Sequence, residues 1–125
     1  MILPKLLSAL TLVLFVSCYN VERNCKDFKT GTFEFVQNID GKKMTSTFER
    51  NDSLQIESFN GKIDTASVRW VNDCEYILQK LHPKNMQEKK AINIKILTTN
   101  TKGYVFEYSF VGESKKQKGT VTKQK

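Results

Sequence analysis

With 125 residues, 26% of them charged and 39% hydrophobic, the chain has room for one domain built on one core, which excludes a multidomain enzyme. Its formal net charge of +7 attracts anionic lipid headgroups or acidic polymers, although a lysine-rich face is ordinarily only solvated. One histidine and three cysteines leave few ligands for a metal cluster and one candidate base for nucleophilic catalysis.

The chain opens Met1-Ile-Leu-Pro-Lys5, and Leu6 to Val16 form an apolar run broken only by Ser8 and Thr11. A basic start, a short apolar stretch and a small residue at its end predict a secretory signal helix over 1–17. A spanning helix needs about 20 apolar residues, and this run stops short of that at Ser17-Cys18. The alternative, an uncleaved anchor or a buried core helix, finds no second segment apolar enough to pack around it. Phe15-Val16-Ser17-Cys18 resembles a lipobox, the tetrapeptide that precedes lipoprotein processing, with Phe15 where that pattern prefers Leu. The resemblance implies that Cys18 becomes the new first residue and carries a diacylglycerol thioether. Several acyl chains at about 0.8 kcal/mol per buried CH₂ make such an anchor effectively permanent. Residues 18–26 are then a lipidated segment, and 27–125 a β domain with a basic tail. Tyr19 to Asn24 lack a dense acidic cluster, so the expected location is the cell envelope, on the periplasm-facing side of the outer membrane.

Assigning Cys18 to lipid leaves Cys25 and Cys74, an even pair in an oxidising compartment, where a disulfide is expected. Closing a loop of about 50 residues contributes roughly 4 kcal/mol by chain entropy. The alternative is two free buried thiols.

From Phe28 onwards the pattern has period two. Phe33 and Phe35 alternate with Thr32 and Glu34, and Met44, Ser46 and Phe48 share a face. Leu54 and Ile56 alternate with Gln55 and Glu57, and Ala66, Val68 and Trp70 with Ser67 and Arg69. Further on, Ile92, Ile94 and Ile96 share one side, as do Tyr104, Phe106, Tyr108 and Phe110. Asp40-Gly41 and Asn60-Gly61 are strong hairpin dipeptides, because a type I′ turn needs positive φ at both central residues. The pattern predicts antiparallel strands over about 28–38, 43–50, 54–59, 62–71, 74–81, 91–99, 103–111 and 115–122. His82 to Lys90 interrupts it, and Pro83 opens one short helical turn near 84–90. The expected fold is all-β, an up-and-down meander of about eight strands forming a small barrel or a strongly curved sheet. Its expected core includes Phe33, Phe48, Leu54, Ile56, Val68 and Ile94. In such a meander every odd strand starts at the same end, so Cys25, before strand one, and Cys74, opening strand five, share an end.

Catalytic chemistry is thin. His82 is the one candidate base, and no serine lies in a Gly-x-Ser-x-Gly context. No glycine-rich phosphate loop appears, and Asp73 and Glu75 around Cys74 suggest a sheet end rather than a metal site. No cofactor or metal is expected. The run Tyr104 to Phe110 beside lysines superficially suits single-stranded nucleic acid, yet an aromatic face at strand spacing more often packs a core. Arg50, at a strand end, and Arg69, beside Trp70, are the candidate ligand or anion contacts, with a cross-strand ion pair as the alternative for each arginine.

Cys25 to Phe35, Arg50 to Glu57 and Val68 to Tyr76 resemble a group of small uncharacterised flavobacterial lipoproteins across nearly the whole mature chain. Some of that group carry a DNA topoisomerase IV label, for which this chain has neither an ATPase motif nor a strand-cleaving tyrosine context. The meander is similar to lipocalin-like domains at the level of fold, which does not fix function. Size, anchor, disulfide and barrel form also resemble envelope lysozyme inhibitors, although a basic inhibitor is repelled by a basic enzyme. The expected function is that of a non-catalytic, membrane-tethered module binding a small apolar ligand or an envelope protein. Lysozyme inhibition and a nucleic-acid role are the alternatives.

Overall fold

Asp40 and Gly41 adopt φ of 51° and 78°, and Asn60 and Gly61 adopt 49° and 75°, the backbone a type I′ turn requires. Each dipeptide folds two consecutive strands into a tight hairpin. In the computed structural model, which describes residues 23–124, the strands are β1 (Gly31–Ile39), β2 (Lys42–Arg50), β3 (Leu54–Phe59) and β4 (Lys62–Asn72). They continue as β5 (Glu75–Lys80), β6 (Ile92–Thr99), β7 (Gly103–Phe110) and β8 (Gln117–Lys123). Each pairs antiparallel with the next, and β1 returns to β8 with Phe33 opposite Lys123 and Phe35 opposite Val121. The sheet is therefore a closed barrel in strict chain order, with no free edge along that seam. The signal segment 1–17 and Cys18 lie outside the described residues.

Alternation decides what fills the barrel. Phe33, Phe48, Val68, Tyr76, Ile94, Ile96, Tyr104, Phe106 and Val121 are buried together, each large side chain contributing about 1.5–3 kcal/mol on burial. Gly119 makes room for two of the rings. A Cβ there would stand 2.7 Å from the ring of Phe106 and 2.8 Å from that of Phe35.

One face differs from the expectation. Leu54 and Ile56 were expected in the core, yet Ile56 is 39% exposed while Gln55 is only 6% exposed. Register is the reason. Gln55 lies directly opposite Arg50, and Glu57 opposite Phe48, and directly opposed residues share a face of the sheet. Since Phe48 and Arg50 point inward, Gln55 and Glu57 do too.

The two ends of the barrel are unlike. At one end a 3₁₀ turn, Cys25–Phe28, crosses the opening, with Cys25 and Phe28 buried. Cys25 is disulfide-bonded to Cys74 in the β4–β5 connection, so the two cysteines do share an end. Lys123 Nζ donates to the Asp27 carbonyl (2.7 Å), and Asn24 N–H to Thr99 Oγ1 (2.8 Å), fixing the turn over the opening. The other end is ringed by the two tight hairpins and the longer β5–β6 and β7–β8 connections. The helical turn expected near 84–90 is instead a hydrogen-bonded turn. Lys90 N–H donates to Gln87 O (3.2 Å) and Glu88 N–H to Asn85 Oδ1 (2.9 Å), without continuing into a helix.

Candidate functional site

Arg50 ends β2 at the closed end of the barrel and is 1% exposed. A guanidinium taken out of water must have its N–H groups satisfied, or the site is not stable. Here Nε donates to Lys29 O (3.0 Å) and one terminal nitrogen to Tyr76 Oη (2.7 Å), Tyr104 Oη (3.3 Å) and Gln55 Oε1 (3.3 Å). The other terminal nitrogen donates to Phe28 O and to Tyr104 Oη (3.3 Å). Phe28 and Lys29 end the 3₁₀ turn, whose last carbonyls have no partner within it, so Arg50 caps that turn from inside the barrel. No carboxylate pairs with Arg50 among the described residues. Instead the guanidinium carbon lies 4.7 Å from the ring centre of Phe33, 4.8 Å from Tyr76, 5.5 Å from Phe48 and 5.6 Å from Trp70. Ring faces attract a cation by about 0.5–2 kcal/mol each. Burial pushes the Tyr76 phenol well above its usual range, with Tyr104 adding to this and Arg50 opposing it, so the hydroxyl keeps its proton. This half of the barrel is full.

The other half is hollow. A chamber of about 260 Å³ opens at the far end, walled by Ala66, Leu78, Ile92 and Phe110. A further 120 Å³ or so continues inward between Phe35, Phe48, Ile94 and Phe106. Gln55, Glu57, Leu78 and Ile92 line both, so the two spaces adjoin, and Tyr76 and Tyr104 border the inner one on the side of Arg50. The mouth is charged. Lys80 Nζ bridges Asp64 and Glu88, each at 2.9 Å. Glu57 faces Asp64 across the β3–β4 pair. Burial raises the Glu57 carboxyl above its ordinary value of 4.5; Lys80 partly offsets this and Asp64 adds to it.

Of the residues singled out from sequence, Arg50 and Trp70 meet inside the closed end. Trp70 lies 4.6 Å from Tyr76, ring centre to ring centre, and Lys29 Nζ covers its outer face at 5.0 Å. Its Nε1–H is buried without a partner among the described residues. Arg69 is exposed on the outer face, opposite Ile77, and is not brought to either. His82 is exposed in the β5–β6 connection. Asp73 accepts from Lys29 (2.8 Å) and Glu75 from Asn93 (2.9 Å), which leaves both as ion-pair and hydrogen-bond partners at the sheet end. Gln55, Glu57 and Lys80 line the hollow half and were missed, because each is a polar residue in a strand whose apolar neighbours claimed attention. The signal was present in register, since a four-residue turn after Arg50 sets Gln55 opposite it.

Arg50→Met would leave two carbonyls and two phenols without their donor, at roughly 1–3 kcal/mol for each group left unsatisfied. The expected loss is about 3 kcal/mol or more, read by urea unfolding with Trp70, the single tryptophan, as reporter; a loss under about 1 kcal/mol would contradict the plug. Glu57 acts in the opposite sense to a salt-bridged acid. Because its folded value is raised, the folded state holds the proton longer, and stability falls as pH climbs from 4.5 through the raised value. Glu57→Gln is expected to match the parent in acid and exceed it at neutral pH. A pH-independent difference would sink that account.

No family model, curated protein or solved structure matches the chain, so the chemistry of this site stands on its own geometry.

Proposed function

We propose that the protein is a lipid-tethered, non-catalytic binding module of the cell envelope whose hollow half-barrel holds a small, mainly apolar ligand. The observation that carries this reading is the contrast between the two halves. Aromatic side chains and a fully hydrogen-bonded guanidinium fill one, while two adjoining, mainly apolar-walled spaces lie in the other. At about 260 Å³ the outer chamber sits just under the range of roughly 300–1,000 Å³ typical of small-molecule sites, which favours a compact guest. Apolar walls supply the affinity, and Gln55 and Glu57 supply the few polar contacts that orient it. The aromatic residues Tyr104 and Phe106 are buried inside, which argues against base stacking on an exposed sheet. The tether is the lipid proposed on Cys18, placing the module on the outer membrane facing the periplasm. The likeness to flavobacterial envelope lipoproteins belongs to the same proposal.

The ligand reading is tested with protein purified from its own cells. Native mass spectrometry is expected to find a co-purifying small molecule, and N-phenyl-1-naphthylamine is expected to bind with enhanced fluorescence. Leu78→Trp, which fills the chamber, is expected to weaken that probe by at least about tenfold, or roughly 1.4 kcal/mol. Repeated recovery of empty protein that ignores the probe would end the reading. The tether is tested separately: labelled palmitate is expected in the parent and absent from Cys18→Ala. Palmitate label retained by Cys18→Ala, or absent from the parent, would overturn the anchor.

A further inference from the structure

Single exposed apolar side chains are ordinary on a soluble surface. In this barrel they are not scattered. Of the eight large apolar residues exposed among those described, five stand at the open end: Ile39, Ile63, Leu81, Met86 and Val111. Ile63 and Met86 are each 74% exposed, more than any other large apolar side chain described. Ile39 and Ile63 flank the two tight hairpins, Leu81 and Met86 sit in the β5–β6 connection, and Val111 begins the β7–β8 connection. Together they ring the mouth of the hollow half.

Cationic side chains stand among them. The first hairpin contributes Lys42 and Lys43, the second Lys62, and the longer connections Lys84, Lys89 and Lys115, all exposed. None of these six is in an ion pair among the described residues. The acids of the same loops are partly used: Glu88 is held by Lys80 (2.9 Å) and Glu113 by Lys90 (3.3 Å). At the closed end the balance differs, since Asp73 neutralises Lys29 (2.8 Å) and lies near Lys26 (3.9 Å). Six lysines without an ion pair among the described residues therefore stand on the rim that carries the exposed apolar tips, against Arg23, Lys102 and Lys123 at the closed end.

Apolar tips inside a ring of lysines match the layered chemistry of a bilayer surface, with acyl chains below and anionic phosphates at headgroup level. We propose that the open rim is a docking surface for a membrane containing anionic lipid, with Ile63 and Met86 entering the headgroup–acyl boundary and the lysines meeting the phosphates. The inference holds whether or not the chamber is occupied. If it is, docking sets its mouth against the lipid, so that an apolar guest passes between the two without crossing water.

The chain from residue 23 onwards carries all eight described strands, the described core and both cysteines of the disulfide, so the closed barrel needs nothing from residues 1–22 among its described contacts. Sedimented with vesicles of phosphatidylcholine mixed with phosphatidylglycerol, it is expected to bind, to release at high salt and to ignore pure phosphatidylcholine. Lys42→Gln with Lys43→Gln is expected to weaken partitioning by about 25-fold, at about fivefold for each lysine. Ile63→Ser with Met86→Ser is expected to weaken it by at least about tenfold at every salt concentration. Lys26→Gln with Lys102→Gln, at the closed end, is expected to leave it unchanged. Failure to bind the anionic vesicles, unchanged binding of either rim variant, or an equal loss in the closed-end variant would overturn the proposal.

Discussion

A guanidinium without a carboxylate partner among the described residues organises this barrel. Arg50 holds two carbonyls of the 3₁₀ turn, two phenols and one side-chain amide at once, and aromatic faces from β1, β2, β4 and β5 surround it. Those acceptors come from distant parts of the chain, so satisfying one side chain draws the turn, the strand ends and the sheet interior to one point. The arrangement is demanding because neutral oxygens solvate a cation only while all of them are in place. The Cys25–Cys74 bond holds the first residue of the same turn, and a loop of that length contributes about 4 kcal/mol by chain entropy.

The plug also sets where the cavity stops. With one end sealed by Arg50 and its rings, the free space described lies on the other side of Tyr76 and Tyr104, bordered by Gln55, Glu57, Leu78 and Ile92. Charge is arranged in two zones around that space. Carboxylates and Lys80 stand inside the mouth, while lysines with no ion pair among the described residues stand outside it on the rim. The chain enters the barrel at the plugged end, opposite the rim. A lipid on the proposed tether and a bilayer on the proposed docking surface therefore approach the barrel from opposite sides.

Much of this was legible in the sequence, and the reason is geometric. Period-two alternation and the Asp40-Gly41 and Asn60-Gly61 turns specify consecutive antiparallel pairing, and parity then places Cys25 and Cys74 at one end without any knowledge of closure. What failed was the face of β3. Hydrophobicity favoured Leu54 and Ile56, but Asn51 Oδ1 accepts from the Ser53 and Leu54 amides (3.0 and 2.8 Å) and fixes a turn whose register points Gln55 and Glu57 inward. Local composition cannot outweigh register once the neighbouring strand is committed. Arg50 was singled out for its charge, and its inward position follows from sharing parity with Phe48 and Ser46. Its cage was not legible, because the rings that build it are spread from Phe33 to Tyr104 and only closure of the barrel assembles them.

The most direct test of this division into a filled and a hollow half is a crystal structure of the protein taken from its native cells. The account predicts that Arg50 keeps its bonds to Phe28, Lys29, Tyr76 and Tyr104, and that density for a guest appears between Gln55, Leu78, Ile92 and Phe106. Side chains collapsed into that space, with no room for a guest, would contradict it.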